Sequence, residues 1–291
     1  MKVALYTITA LFAFAANSLL CRMALTEAHS DPWSFTIIRM LSAAVLLGII
    51  VVIQYIVANN SVSTTQAFLK DTGSWWSSIC LVVYAFAFSI AYIDLDTGTG
   101  ALILFTAVQL TMIGWGIYQK ERLSRLQWIA LFIAIIGFIS LMLPSSTVPS
   151  LTSASIMFLS GVAWGIYTIR GRSSLSALQG TAFNFIRSLL IIPALLLVRL
   201  TRVSDLANST ATGIFLACMA GAITSGLGYS IWYSVLPSLK SAHASVVQLC
   251  VPILAAVMGV VFLSETVTMS FLIASSIILG AVLVFTVSKP V

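Results

Sequence analysis

Long apolar stretches broken by short polar ones run through nearly all 291 residues of the chain. A helix needs about 20 mostly apolar residues to cross about 30 Å of hydrocarbon, and dividing the chain at its polar breaks predicts ten such spans. The first half holds spans over roughly Val3–Ala24, Trp33–Val57, Trp75–Ile93, Thr99–Tyr118 and Leu126–Leu143. The second half holds Ala154–Ile169, Ala177–Val198, Gly213–Leu236, Ser241–Leu263 and Met269–Val287. Turn-forming residues mark several breaks: Ser30-Asp31-Pro32 before the second span, Asp94, Asp96, Gly98 and Gly100 between the third and fourth, and Pro144 after the fifth. The polar run Asn59–Gly73 is the longest loop. Ala13-Phe14-Ala15 imitates a signal-peptidase site, yet the apolar run continues to Leu20. A cleaved apolar region is about 7–15 residues long, so the first span is expected to be retained.

The ninth span carries the most informative pattern. Gln248, Pro252, Ala255 and Gly259 recur at helical spacing and share one face, while Leu254, Val257 and Val261 point elsewhere. That face is expected to meet protein or water. Proline frees a backbone carbonyl that must be satisfied by neighbouring helices, side chains or a water-filled cavity. The stretch Gln248–Glu265 is therefore either a broken helix lining a site or a packing kink.

Composition agrees with a membrane solvent: the chain is 60% hydrophobic and 8% charged, with a mean hydropathy of +1.08, against about 25% charged residues in soluble domains. The net charge of +6 comes without a basic run, which argues against a nucleic-acid partner. Instead the positive charge orients the bundle, because cytoplasmic loops carry the excess of Lys and Arg. With the N-terminus inside, Lys2, Lys70, Lys120, Arg122, Arg125, Arg170, Arg172, Lys240 and Lys289 are cytoplasmic, against Arg22, Arg199 and Arg202 outside. Arg39 and Arg187 fall within spans, and both termini are expected in the cytoplasm. Cys21, Cys80, Cys218 and Cys250 show no C-x-x-C spacing, so neither a disulfide framework nor a metal site is indicated, and no cofactor is called for.

The chain also repeats itself. Phe14–Arg22 (FAANSLLCR) lies over Val162–Arg170 (VAWGIYTIR), and Phe35–Ala43 (FTIIRMLSA) over Phe183–Ile191 (FNFIRSLLI), at a constant offset of 148 residues. Arg39 thereby matches Arg187. Further on, Glu121 of YQKERLS lies over Glu265 of FLSETVT at an offset of 144. An odd number of spans per half makes the second half enter the membrane from the opposite side, the inverted-topology arrangement that places a site at the repeat interface. The expected architecture is an all-α integral membrane protein of ten transmembrane helices in two inverted five-helix repeats, residues 1–143 and 154–291, joined by a linker over 144–153.

Ten spans in two halves, an Arg early in spans 2 and 7, Pro252 in span 9, an acid closing spans 4 and 9, and Gly137 and Gly280 late in spans 5 and 10 resemble the EamA-type transporters of the drug/metabolite transporter superfamily. The resemblance implies an inner-membrane carrier, often an exporter, of amino acids or other small organic metabolites, with a central cavity between the halves and alternating access. It departs in one place: Val108 stands in span 4 where the repeat puts Pro252 in span 9. Its partners would be a small-molecule substrate and membrane lipid, with the protein a monomer or homodimer.

Polar groups in mid-span are costly in lipid, so Asn17, Gln109, Asn184 and Gln248 are expected to face the bundle interior. They line a pocket or fasten helices together, and fastening is preferred for Asn184. Tyr84, Trp115, Trp164, Tyr167, Tyr229 and Trp232 add aromatic surface, whereas Trp33, Trp75, Trp76 and Trp128 suit an interfacial belt. Trp164, ten residues into its span, is the first choice for a cavity wall. Arg39 and Arg187 are expected to be structural, snorkelling or capping a neighbouring helix. Pro252 is a gating candidate. Glu121 and Glu265 read as solvated carboxylates at helix ends, with pairing or gating as the alternative. An enzyme would need a nucleophile with a base or a metal cluster, and His29 and His243 stand alone at loop edges. A structural or signalling protein would more often carry a soluble domain. A proton-coupled multidrug pump would require a titratable group in mid-span, where no carboxylate falls.

The charge bias makes a topological prediction. In a background without the four native cysteines, Arg172→Cys should be labelled by an impermeant thiol reagent only from the cytoplasmic side; labelling from outside would overturn both the orientation and the inverted repeat.

Overall fold

The computed structural model describes residues 2–58, 72–120, 123–142, 150–172, 174–198, 209–239, 247–248 and 250–288. Among them are ten helical segments and no strand. In chain order they are α1 (Lys2–Thr26), α2 (Pro32–Ala58), α3 (Trp75–Ala91), α4 (Thr97–Tyr118), α5 (Arg125–Met142), α6 (Leu151–Gly171), α7 (Ala177–Val198), α8 (Ala211–Ser238), α9 (Cys250–Leu263) and α10 (Met269–Val287). The ten expected spans thus return as ten helices, with one qualification of length. Five are long and apolar enough to cross a membrane: Lys2–Thr26, Pro32–Val57, Thr97–Tyr118, Leu151–Gly171 and Ala211–Ser238. By contrast α3, with 17 residues, rises only about 26 Å at 1.5 Å per residue; the described part of α9 covers Cys250–Leu263, with residues 247–248 before it also helical. Residues 144–149 of the expected linker 144–153 and Glu121 lie outside the described residues, whereas residues 151–153 of that linker already belong to α6.

The helices are apolar on both sides. Their outward faces carry Ile8 and Phe12, Val45 and Ile49, Ile129 and Phe132, and Val257 and Val261, all exposed, as a hydrocarbon solvent requires. Their inward faces carry small residues, with Ala10, Ala15, Ala43, Ala85, Ala101, Ala217 and Ala255 fully buried. Small side chains let helix backbones approach where lipid supplies no hydrophobic drive between them. Close approaches occur where α8 meets α2, with Gly221 against the Arg39 carbonyl, and where α6 crosses α4, where a Cβ on Gly161 would stand 2.6 Å from Ala107 Cβ.

The main packing joins helices of the first five to helices of the last five. Helices α3 and α4 pack on α6, α1 packs on α8 and α9, α2 on α7 and α8, α5 on α10, and α4 on α9. At one end, the Asp31 carboxylate accepts hydrogen bonds from Trp33 N (2.9 Å) and Ser34 N (3.2 Å), capping α2 behind Pro32. Residue 210 is tied to the same turn, with Thr210 N donating to His29 O at 2.8 Å.

Helix α8 departs from regular geometry. Ala211–Cys218 is α-helical, Met219–Leu227 is a π-helix, and Gly228–Val235 returns to α. The π stretch, MAGAITSGL, is mostly small residues. It widens the turn where α8 runs along α2 and α1, and such insertions concentrate at functional sites.

Candidate functional site: a buried polar and aromatic centre

Where α1, α2, α3, α6 and α8 meet, their inward faces bring together one cation, several hydroxyls and a shell of aromatic rings. Arg39 of α2 is 1% exposed. Its Nε donates to Ser225 Oγ at 2.9 Å, and its Nη2 donates to Tyr229 OH at 2.8 Å and to Tyr84 OH at 3.2 Å. The two tyrosine hydroxyls are 2.9 Å apart. Asn17 of α1 joins them, its Nδ2 donating to Tyr84 OH at 3.2 Å while its Oδ1 accepts from Thr224 Oγ1 at 3.2 Å. The guanidinium carbon also lies 5.1 Å from the centre of the Phe88 ring, within cation–π range.

Trp164 of α6 stands beside this network, buried, with ring centres 4.5 Å from Tyr229, 4.9 Å from Tyr84, 5.5 Å from Tyr167 and 5.7 Å from Phe14. Trp232 meets Phe14 edge-on at 5.8 Å. Asn17, Ser18, Tyr84, Phe88, Trp164 and Tyr229 are among the walls of a narrow cavity of about 10 Å³, the space that one water centre requires. Anything larger can occupy this centre only after helices move apart. A roomier apolar groove of about 290 Å³ lies along Pro252, Ile253, Val257, Val261 and Leu272. Its rim residues are among the most exposed apolar side chains of α9, so it belongs to the lipid-facing surface.

Of the residues expected from sequence, Asn17, Tyr84, Trp164, Tyr229 and Trp232 come together here. Tyr167 lies one layer away, its ring 5.3 Å from Tyr233 and its carbonyl accepting from Tyr233 OH at 3.2 Å. Gln109 is buried but lines a different small pocket with Thr106, Ile113, Ala130 and Phe285, so it does not belong to the centre. Gln248, Pro252, Ala255 and Gly259 are all buried, as their shared face predicts, while Val257 and Val261 are exposed. Asn184 fastens helices: its Oδ1 accepts from Ser74 N at 2.9 Å.

Two expectations are corrected. Arg39 does not snorkel, because α2 buries it behind Tyr84, Phe88 and Tyr229 and its head reaches hydroxyls instead of the interface. Glu265 is not a solvated carboxylate. Its side chain is 12% exposed and lies 3.5 Å from Arg22 Nε, and it accepts from Thr97 N (2.9 Å) and Thr97 Oγ1 (2.9 Å) at the N-terminus of α4. The helix dipole favours an anion there. Arg22 Nη1 in turn donates to the carbonyls of Tyr92 (2.8 Å) and Ile93 (2.7 Å), so α1, α3, α4 and the α9–α10 connection are knotted at one end. Arg187, by contrast, keeps the structural place expected of it, donating to Thr72 O beside the Trp75 ring. Thr224 and Ser225 were not foreseen. Their only sequence signal is two hydroxyls within the Gly- and Ala-rich run of α8.

Among the described residues, no three His, Cys, Asp or Glu side chains gather as metal ligands. With its membrane-length helices and occluded polar interior, the protein is a multi-pass membrane protein of the transporter class. The profile of the EamA-like transporter family matches residues 151–287. The chain is 38% identical over 278 residues to an uncharacterized protein of Pseudomonas aeruginosa, covering 96% of this chain and 92% of that one. It is also 20% identical to an uncharacterized transporter of Clostridium kluyveri, across 97% of this chain and 92% of the relative. A solved crystal structure superposes with a TM-score of 0.61 at 14% identity, over 97% of this chain and 96% of that chain, which shows the common fold. The chain belongs to the EamA-like transporter family, within the drug/metabolite transporter superfamily.

The geometry assigns Trp164 more aromatic contacts than the other rings of the centre except Tyr229 and Phe14, each such pair being worth about 0.5–1.5 kcal/mol. Trp164→Ala should lower transport roughly tenfold while the protein stays inserted and monodisperse in detergent, and Trp164→Phe should keep most of it. Unchanged transport by the alanine variant would make Trp164 a packing residue only.

Proposed function

We propose that this protein is an inner-membrane carrier that moves small organic solutes, amino acids or related metabolites, by alternating access, as an exporter or facilitator with both termini in the cytoplasm. The observation that carries the reading is the closed polar and aromatic centre, built by α1, α2 and α3 from the first half of the chain and α6 and α8 from the second. A site shared between halves changes its access when the halves rock against each other. The helix pairing supports an inverted repeat in residues 1–143 and 154–291. Exchanging each helix with the one five places along turns α3 on α6 into α8 on α1, α4 on α6 into α9 on α1, and α2 on α8 into α7 on α3, and all six contacts are present. The pairs α2 with α7, α4 with α9 and α5 with α10 map onto themselves.

Energy coupling follows from where the carboxylates lie. A proton-driven carrier needs a desolvated group that binds and releases a proton as the site alternates. Among the described residues, Asp94, Asp96 and Glu265 sit at helix ends, and Glu265 is held by Arg22 and Thr97. The centre itself contains a guanidinium and neutral groups. Transport therefore runs down the solute's own gradient, or by exchange, without obligatory proton stoichiometry.

The test is uptake of radiolabelled neutral amino acids into proteoliposomes with and without an imposed pH gradient. The expected result is protein-dependent uptake whose initial rate the gradient leaves nearly unaltered. Accumulation driven by the pH difference and abolished by a protonophore would replace this reading with a proton-coupled pump, and the absence of protein-dependent flux for any small organic solute would remove the carrier reading itself.

A further inference from the structure

The centre holds more hydrogen-bond donors than acceptors. Arg39 brings five N–H groups, yet only Nε and Nη2 are engaged, and Nη1 is buried without a partner. The indole Nε1 atoms of Trp164 and Trp232 are likewise buried without a partner. The side-chain acceptors that meet the donors of the centre are the oxygens of Ser225, Tyr84, Tyr229 and Asn17, each of which already accepts at least one hydrogen bond. One of the two tyrosine protons is spent on the other tyrosine, since the hydroxyls share a single contact at 2.9 Å.

Charge shows the same imbalance. The ion pairs among the described residues are Arg22 with Asp96 and Glu265, and His29 with Glu27. None reaches Arg39. A guanidinium that cannot deprotonate is enclosed by rings and hydroxyls with no carboxylate of the described residues against it, and burying a charge without a counter-charge is strongly unfavourable.

We infer that Arg39 is the anion-recognising residue of the transport site and that the solute's recognised group is a single carboxylate. This inference rests on the carrier reading above and names the substrate class for it. A carboxylate supplies about four lone-pair positions and no donor, matching the surplus, and its planar pair of oxygens fits the guanidinium fork. One negative charge neutralises the one cation. A phosphate dianion would leave a charge over, with no second cation in the centre among the described residues. The rings of Phe14, Phe88, Trp164 and Trp232 then form an apolar surround for the rest of the solute. Access comes with the same helix separation that transport requires, because Tyr84 and Tyr229, which now cover the guanidinium, belong to α3 and α8.

The experiment uses the full-length protein in detergent and in proteoliposomes. The probes are the monocarboxylates 4-methylvalerate and 3-phenylpropionate, each matched with its uncharged carboxamide, and the amino acids L-leucine and L-phenylalanine, whose carboxamides keep the ammonium and so serve only as secondary comparisons. Tryptophan fluorescence and thermal stabilisation report binding, and counterflow reports transport. Carboxylates should bind and amides should not, with at least about a tenfold difference in Kd, the worth of one charge-assisted hydrogen-bonded contact. Arg39→Gln should abolish the discrimination, and Arg39→Lys, which keeps the charge but loses the fork, should retain part of it. If Arg39→Gln does not yield monodisperse protein, the amide comparison on the wild type and the Arg39→Lys variant decide alone. Equal handling of acid and amide by the wild type, or no carboxylate-dependent binding at all, overturns the assignment while protein-dependent flux of other solutes leaves the carrier reading standing. Loss of flux for every solute removes both.

Discussion

A cation placed in the middle of an apolar bundle constrains everything around it. On insertion scales an arginine at the centre of a membrane helix costs about 2.5–3.5 kcal/mol, and the third turn of α2 carries Arg39 away from either helix end. The cost is contained only if α3 and α8 deliver hydroxyls to the guanidinium, and they do so through Tyr84, Tyr229 and Ser225. That demand reaches into the backbone. Ser225 lies in the π-helical stretch of α8, whose small residues allow α8 to run close along α2. It also explains why the rings cluster here: Trp164, Phe14 and Phe88 seal the network from lipid and strengthen every hydrogen bond inside it.

A second polar knot lies away from the centre, where Arg22 gathers Glu265, Asp96 and the last carbonyls of α3. Its ion pairs join elements that are distant in sequence, α1 and the α9–α10 connection, and Glu265 caps the first turn of α4. The two knots differ in kind. The end knot is balanced in charge, with the carboxylates of Asp96 and Glu265 meeting the guanidinium of Arg22. The central one is left short of acceptors. Balanced contacts hold a conformation, whereas an unbalanced buried cation favours whatever supplies the missing charge, and on the proposal above that is a solute carboxylate admitted once the helices have moved apart.

Much of the fold was legible because membrane helices declare themselves by length and hydropathy. The inward face of α9 was readable from Gln248, Pro252, Ala255 and Gly259, since helical spacing alone places them together. The site was readable to the extent that polar and aromatic groups in mid-span must face inward, which holds for Asn17, Tyr84, Trp164 and Tyr229. The same rule could not separate Gln109, equally buried but enclosed between α4 and α5, because inwardness says nothing about which neighbours are met. Arg39 was misplaced for a related reason. Distance from a helix end allows snorkelling, and only the tertiary position of α3 and α8 shows that the path outward is closed. Glu265 depended on a connection folding back, with Ser264 at φ 54°, onto a helix start that is 168 residues away in sequence. No local pattern encodes that contact.

On the proposed carrier reading, the buried centre is reached in turn from the two sides of the membrane. Ser18 lines its cavity and is 1% exposed, so a single Ser18→Cys reporter in a cysteine-free background tests it directly. In right-side-out and inverted vesicles, an impermeant thiol reagent should modify this residue from both faces, slowly, at rates that an added transported solute changes in opposite senses or suppresses together. A reporter that stays unreactive from both faces while the protein transports would contradict the account and place the solute path elsewhere in the bundle.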